Sequence, residues 1–299
     1  MTDTAELMRK VRGIRIMADR LVDDRLSGDW RSAFKGQGLE FEEIREYVPG
    51  DDVRDIDWNA TARTGFPRVK RWSEERQLTV LLLVDVSGSQ AFGPGARTKA
   101  DLAAELSCLL ALASVRSQDN VGLVLFSDRI LLTLRPRKGR HAVMRIVREI
   151  LSAADGTVGG GTDIRAALDC LSAIQRRRAV VFLVSDFRAE DWRAPLAAAA
   201  RRHDLVCCSV SDPAESQLPD AGLVELADPE TGETVWADTS SPTLRAAFAA
   251  NAAARAERLR TMIAASGAGL MEFSTSEDPA PTVRAFFRRR AMRARRAGR

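Results

Sequence analysis

Two aspartates and three hydroxyl side chains carry the clearest chemistry in this sequence. Asp85, Ser87 and Ser89 alternate in Asp85-Val86-Ser87-Gly88-Ser89, directly after an apolar run at 78–84. Thr162 follows three glycines, Gly159 to Gly161, and precedes a helical pattern; Asp186 directly follows the run AVVFLVS at 179–185. All five side chains offer oxygen. Hard oxygen donors suit Mg²⁺ or Mn²⁺, and Ca²⁺, rather than Zn²⁺. Few carboxylates and several hydroxyls fit a cation that keeps some of its waters and leaves one position open. Just past a strand, residues 85, 87 and 89 can turn their side chains the same way, and the glycines allow the Thr162 backbone a close approach. The plainer reading is that Asp85 and Ser87 cap the next helix and the glycines only make a turn.

These residues can meet only if strands and helices alternate. The runs 78–84, 179–185 and 205–210 are continuously apolar, as strands buried on both faces are. Helical spacing occupies 98–115, 141–151, 163–174, 192–202, 244–265 and 283–292, and 269–275 reads as a last strand. Residues 121–127 and 129–134 predict a hairpin across Asp128-Arg129, placing one antiparallel strand at a sheet edge. The pattern predicts an α/β fold with a doubly wound, mainly parallel sheet, whose ligand site lies outside the strands' carboxyl ends. The stretch before it differs. Residues 4–26 predict an amphipathic helix, and 36–77 a small antiparallel unit with a helical crossover starting near Asp55. We divide the chain into 1–77, the helix and small β unit; 78–275, the α/β domain with a hairpin insertion near 213–240; and 276–299, a basic helix.

The three-part pattern resembles the metal-ion-dependent adhesion site of von Willebrand factor A domains: D-x-S-x-S, then Thr, then Asp, here Asp85/Ser87/Ser89, Thr162 and Asp186. By that resemblance Ser87, Ser89 and Thr162 offer hydroxyl oxygens, and Asp85 and Asp186 act largely through water or as outer acceptors. The same resemblance implies that an acidic side chain of a partner protein takes the open metal position. A second resemblance covers residues 36–93. The segment R-x-Y-x-x-G-D-D-x-R-x-I-D-W, Arg45 to Trp58, followed by LLLVDVSGSQAFG, is similar to the bacterial domain-of-unknown-function 58 family. That resemblance implies a von Willebrand factor A-like fold and a role as adaptor or substrate-handling partner of a MoxR-type AAA+ ATPase. Many relatives carry two membrane helices ahead of this segment, a feature this chain lacks. In and just after this segment, Asp51, Asp52, Asp55 and Asp57 beside Arg45, Arg54 and Arg63 read as ion pairs and helix caps, or as a docking surface. A calcium loop starting at Asp55 fails, because Ala60 and Phe66 stand where Gly and Glu are needed.

Composition excludes other classes. The 299 residues include 45 Lys+Arg against 41 Asp+Glu, two His and four Cys, with 45% apolar content. That is ample for a packed core, while two His exclude a multi-histidine metal site. No signal-peptide core or run of ~20 apolar residues is present, so a cytoplasmic protein with reduced thiols and no membrane segment is expected. There is no phosphate-binding lysine loop and no G-x-S-x-G; His141 and His203 read as surface or capping residues. No enzyme activity is expected, and a hydrolase is the most distant alternative. The Arg-rich stretch from Phe286 to Arg299 reads as a solvated helix end, with no nucleic acid expected. Two readings remain: a metal-dependent protein-binding adaptor, and a metal-independent scaffold.

Overall fold

The computed structural model describes residues 40–73, 77–154, 160–227 and 233–297. The amphipathic helix expected at 4–26, Gly159 and the turn at 228–232 lie outside the described residues. The chain divides into a small unit, Lys35–Leu78, and a larger one containing Thr79–Arg299.

In the small unit, β1 (Glu40–Glu46) pairs antiparallel with β2 (Arg68–Ser73), with an irregularity between Phe41 and Glu43. The crossover holds a 3-10 turn, Val53–Asp55, and a short helix, α1 (Trp58–Thr64). The helix starts later than the charge pattern near Asp55 predicts, because Asp57 is its cap: the carboxylate accepts from the N–H groups of Asn59 and Ala60. Asp52 caps the 3-10 turn through the Arg54 N–H. Arg45 grips Asp51 with both terminal guanidinium nitrogens, at 2.8 and 2.6 Å. That bond and the Val48 N–H hold the Asp51 carboxyl below its ordinary range. Val48, Val53, Trp58 and Phe66 are exposed.

The larger unit is built on a six-stranded sheet. Its strands are β3 (Thr79–Asp85), β4 (Asn120–Phe126), β5 (Ile130–Arg137), β6 (Val180–Ser185), β7 (Asp204–Ser211) and β10 (Gly269–Ser274). The order is β10-β7-β6-β3-β4-β5, parallel throughout except β5, which runs antiparallel to β4 at the edge. The hairpin is thus as expected, but β5 extends three residues past Leu134. It tolerates Pro136 because a proline on an edge strand can turn its missing N–H away from the ladder. β8 (Leu223–Ala227) and β9 (Thr234–Asp238) form a separate antiparallel ribbon.

Period-two alternation assigns the core to two faces. On one, Leu81, Leu83, Val124, Phe126, Val181, Leu183, Leu205 and Cys207 pack against α4 (Ile164–Ile174), α5 (Arg193–Arg202) and Ile263 of α6 (Pro242–Ser266). Helices α2 (Lys99–Arg116), α3 (Arg140–Ala154) and α7 (Pro279–Ala297) contribute the other buried set. There, Phe182 of β6 meets Phe287 of α7 edge-on, centroids 6.4 Å apart. The expected doubly wound, mainly parallel α/β sheet is present. The basic helix α7 is anchored by one apolar face, Val283, Phe287 and Ala291, and its Arg290 pairs with Asp204. All four cysteines are free thiols; Cys108, Cys207 and Cys208 are buried and Cys170 is half-buried.

Candidate functional site

β3 and β6 are neighbours, but the chain leaves β3 toward β4 on one side and β6 toward β7 on the other. Their carboxyl ends therefore flank the point where strand order reverses, the place where open α/β sheets form crevices. Asp85 ends β3, and Ser185 ends β6 just before Asp186. The loop entering α4 brings Thr162 to the same edge. It is stitched down by two backbone bonds, Gly88 N–H to the Gly160 carbonyl (3.2 Å) and Asp163 N–H to the Ser127 carbonyl (2.7 Å). Gly160 has φ +117°, a conformation suited to glycine, and a Cβ there would lie 3.4 Å from the Asp128 carboxyl carbon. Asp163 caps α4 through the Ala166 N–H.

The hydroxyls converge. The Thr162 hydroxyl donates to Ser87 Oγ at 2.8 Å, and Ser87 Oγ lies 3.1 Å from Ser89 Oγ. Beneath them Asp85 is 1% exposed. Its Oδ1 accepts from the Ser87 N–H (3.0 Å) and its Oδ2 from the Ser185 hydroxyl (2.6 Å). Burial, and then the negative charge of Asp186, push the Asp85 carboxyl up to about 6; the Ser185 and Ser87 bonds work against that rise. Ser185 also accepts from the Phe187 N–H at 3.0 Å. Phe187 holds φ +58°, an uncommon conformation for an aromatic residue that costs about 1–3 kcal/mol. Its ring is locked against Trp192, centroids 5.5 Å apart. This kink directs the chain just after Asp186, whose Oδ1 accepts from the Arg188 N–H. Gln90, next to Ser89, is 1% exposed with neither side-chain amide atom hydrogen-bonded.

Asp186 has a partner that the sequence does not announce. The ammonium of Lys99, at the start of α2, lies 2.6 Å from Asp186 Oδ2 and 2.7 Å from Glu215 Oε1, with its side chain 1% exposed. Glu215 is fixed by the turn after β7: its Oε2 accepts from the Asp212 N–H, while the Asp212 carboxylate caps the same turn and accepts from Thr275. Arg188 reaches Glu215 at 3.2 Å. A buried cation held by two carboxylates is strongly placed, because removing one member of such a pair costs about 3–5 kcal/mol.

The structure thus brings Asp85, Ser87, Ser89 and Thr162 into one hydrogen-bonded set. It places Asp186 at the next strand end, engaged by Lys99. Among the described residues no three His, Cys, Asp or Glu side chains group as metal ligands, so a cation here would rest mainly on hydroxyls. Their spacing suits one: at Mg²⁺–oxygen distances of ~2.1 Å, adjacent corners of an octahedron stand roughly 3.0 Å apart. Sequence reasoning missed Lys99, Ser185, Arg188 and Glu215; the Ser-Asp pair closing β6 was the one legible hint. His203, read as a surface or capping residue, is the C-cap of α5, its N–H donating to the Ala199 carbonyl at 2.8 Å; its imidazole, however, is buried without hydrogen bonds, and burial lowers its pKa to about 4. His203 precedes β7 and His141 follows β5, so both lie toward the amino edge of the parallel strands, away from the hydroxyls.

Among relatives, the uncharacterized protein Mb1516 of Mycobacterium bovis is 33% identical over 277 residues, covering 92% of this chain and 87% of that protein. The uncharacterized protein Rv1480 of Mycobacterium tuberculosis matches with the same figures. A solved structure of the conserved hypothetical protein BatB from Bacteroides thetaiotaomicron is similar at TM-score 0.48 and 15% identity, covering 73% of this chain and 99% of that one. The SpRpn10 VWA domain is similar at TM-score 0.38 and 12% identity, covering 69% and 92%. No helix among the described residues is long and apolar enough to cross a membrane. The model of the family described as "Protein of unknown function DUF58" matches residues 43–258, and the chain belongs to that family.

Proposed function

We propose that this protein is a metal-dependent protein-binding adaptor. Ser87, Ser89 and Thr162 hold Mg²⁺ or Mn²⁺, with Asp85 and Asp186 beside them, and an acidic group of a partner protein completes the site. The observation that carries this reading is the hydroxyl triplet, whose oxygens stand 2.8 and 3.1 Å apart at the switch point of the sheet. A cation there supplies charge to attract a carboxylate and a coordination position for it. The chain's own residues do the positioning. Asp85 orients the Ser87 backbone and draws on Ser185, and the Gly88–Gly160 bond fixes the Thr162 loop to the serine turn. In the same unit, exposed Trp236 offers apolar surface of the type that protein interfaces use. The partner we propose is a MoxR-type AAA+ ATPase or its client, on the strength of the family resemblance.

One observation favours a metal-independent scaffold instead. The hydroxyls already bond one another and Lys99 already neutralises Asp186, so the loops hold together without a divalent ion. A pull-down separates the two readings: wild type in Mg²⁺, wild type in EDTA, and Asp85→Ala in Mg²⁺, with mass spectrometry of what is retained. An ATPase or client held only by wild type in Mg²⁺ supports the adaptor. The same proteins in all three lanes refute metal dependence and leave the scaffold.

A further inference from the structure

We propose that Lys99 sets the affinity of the cation site by holding Asp186 out of it. This rests on the cation reading above and adds a residue that no motif contains. The ammonium is 1% exposed and has two berths, Asp186 Oδ2 at 2.6 Å and Glu215 Oε1 at 2.7 Å. It therefore stands as a tethered monovalent cation beside the place where a divalent one would draw on Asp186. While Lys99 occupies Asp186, an arriving ion meets one uncompensated carboxylate, Asp85, and three neutral hydroxyls. Like charges repel strongly where water is excluded. The divalent ion therefore binds weakly and exchanges readily.

The second berth makes the hold adjustable. Glu215 is fixed from three directions: the capping turn at Asp212, Arg188 at 3.2 Å, and Lys99 itself. The more Glu215 takes of the ammonium, the more of Asp186 is free for an ion. Removing the berth throws Lys99 wholly onto Asp186; removing the ammonium leaves Asp186 buried and unpaired, a state a divalent ion would relieve.

The test is Mn²⁺ titration of the purified full chain, read by the electron paramagnetic resonance of free Mn²⁺ and by calorimetry. Lys99→Met, close in size and uncharged, is expected to bind Mn²⁺ at least tenfold more tightly than wild type. Glu215→Gln keeps Lys99 paired with Asp186 and is expected to bind severalfold more weakly. Should Lys99→Met fold poorly, Lys99→Met/Glu215→Gln removes one charge of each sign and is expected to show the same tightening. Wild-type affinity in Glu215→Gln and in either folded Lys99 variant overturns the proposal. If wild type and all variants bind no Mn²⁺ up to millimolar concentrations, the cation reading itself fails and takes this one with it. That result is distinct from a wild-type site that binds Mn²⁺ and ignores Lys99.

Discussion

Asp85→Asn is expected to make the metal-free protein more stable at pH 8 while abolishing its response to Mg²⁺. The carboxyl is pushed from 3.8 to about 6 by burial and by Asp186. A carboxyl whose pKa is raised in the fold stabilises it fully below the unfolded value, and that contribution is lost as pH rises through about 6. The rise corresponds to ~3 kcal/mol of penalty at pH 8, from 1.36 kcal/mol per pKa unit. Asparagine removes the charge but has one oxygen to serve the two donors, Ser87 N–H and Ser185 Oγ–H, a loss of ~1 kcal/mol. The net gain of ~2 kcal/mol should raise Tm by about 4–8 °C, at 2–4 °C per kcal/mol in a domain of this size. The assay is thermal unfolding in EDTA from pH 4 to 8, repeated in Mg²⁺. The gain should shrink toward pH 4, where wild-type Asp85 is protonated, and vanish or reverse in Mg²⁺, which stabilises wild type alone. A variant that melts below wild type at pH 8 in EDTA would mean that the buried carboxylate is stabilising by itself, the opposite of what its raised pKa requires.

Other substitutions probe the supports and the surface. Ser185→Ala strips a donor from Asp85 and an acceptor from the Phe187 N–H; chemical denaturation should show a loss of ~1–3 kcal/mol. Gly122→Ala puts a Cβ 2.7 Å from Leu81 Cδ2 and 2.9 Å from the Leu134 carbonyl, so urea unfolding should reveal a loss of ~1–3 kcal/mol from overpacking. Trp236→Ser alters a side chain 63% exposed. It should leave stability within ~0.5 kcal/mol of wild type yet lower partner retention in the Mg²⁺ pull-down lane, and unchanged retention would remove this face from the interface.

The sheet and the meeting of Asp85, Ser87, Ser89 and Thr162 were legible because strands buried on both faces write continuous apolar runs, and their chemistry sits at the run ends. Asp186 was legible by position but not by partner. Lys99 opens a helix, and a lysine in a first helical turn ordinarily reads as solvent-facing. Its burial depends on Glu215, more than a hundred residues away and held by a turn whose capping box is local but whose place beside α2 is tertiary. Ser185 looked like the last residue of an apolar strand rather than a donor to Asp85. His203 follows a helix among arginines, a surface pattern, yet its ring is buried. In each case the side chain's surroundings come from other elements, which local pattern does not specify. The β5 extension through Pro136 escaped for a related reason: whether proline ends a strand depends on whether that strand is an edge.

The claim that a divalent cation rests on Ser87, Ser89 and Thr162 is tested most directly by crystals grown with Mn²⁺ and measured for anomalous scattering. One peak is expected within about 2.2 Å of all three hydroxyl oxygens, near-octahedral as hard oxygen-bound ions of this size are, and absent in Thr162→Ala crystals. No peak at saturating Mn²⁺, with the hydroxyls still bonded to one another and Lys99 still on Asp186, would contradict it.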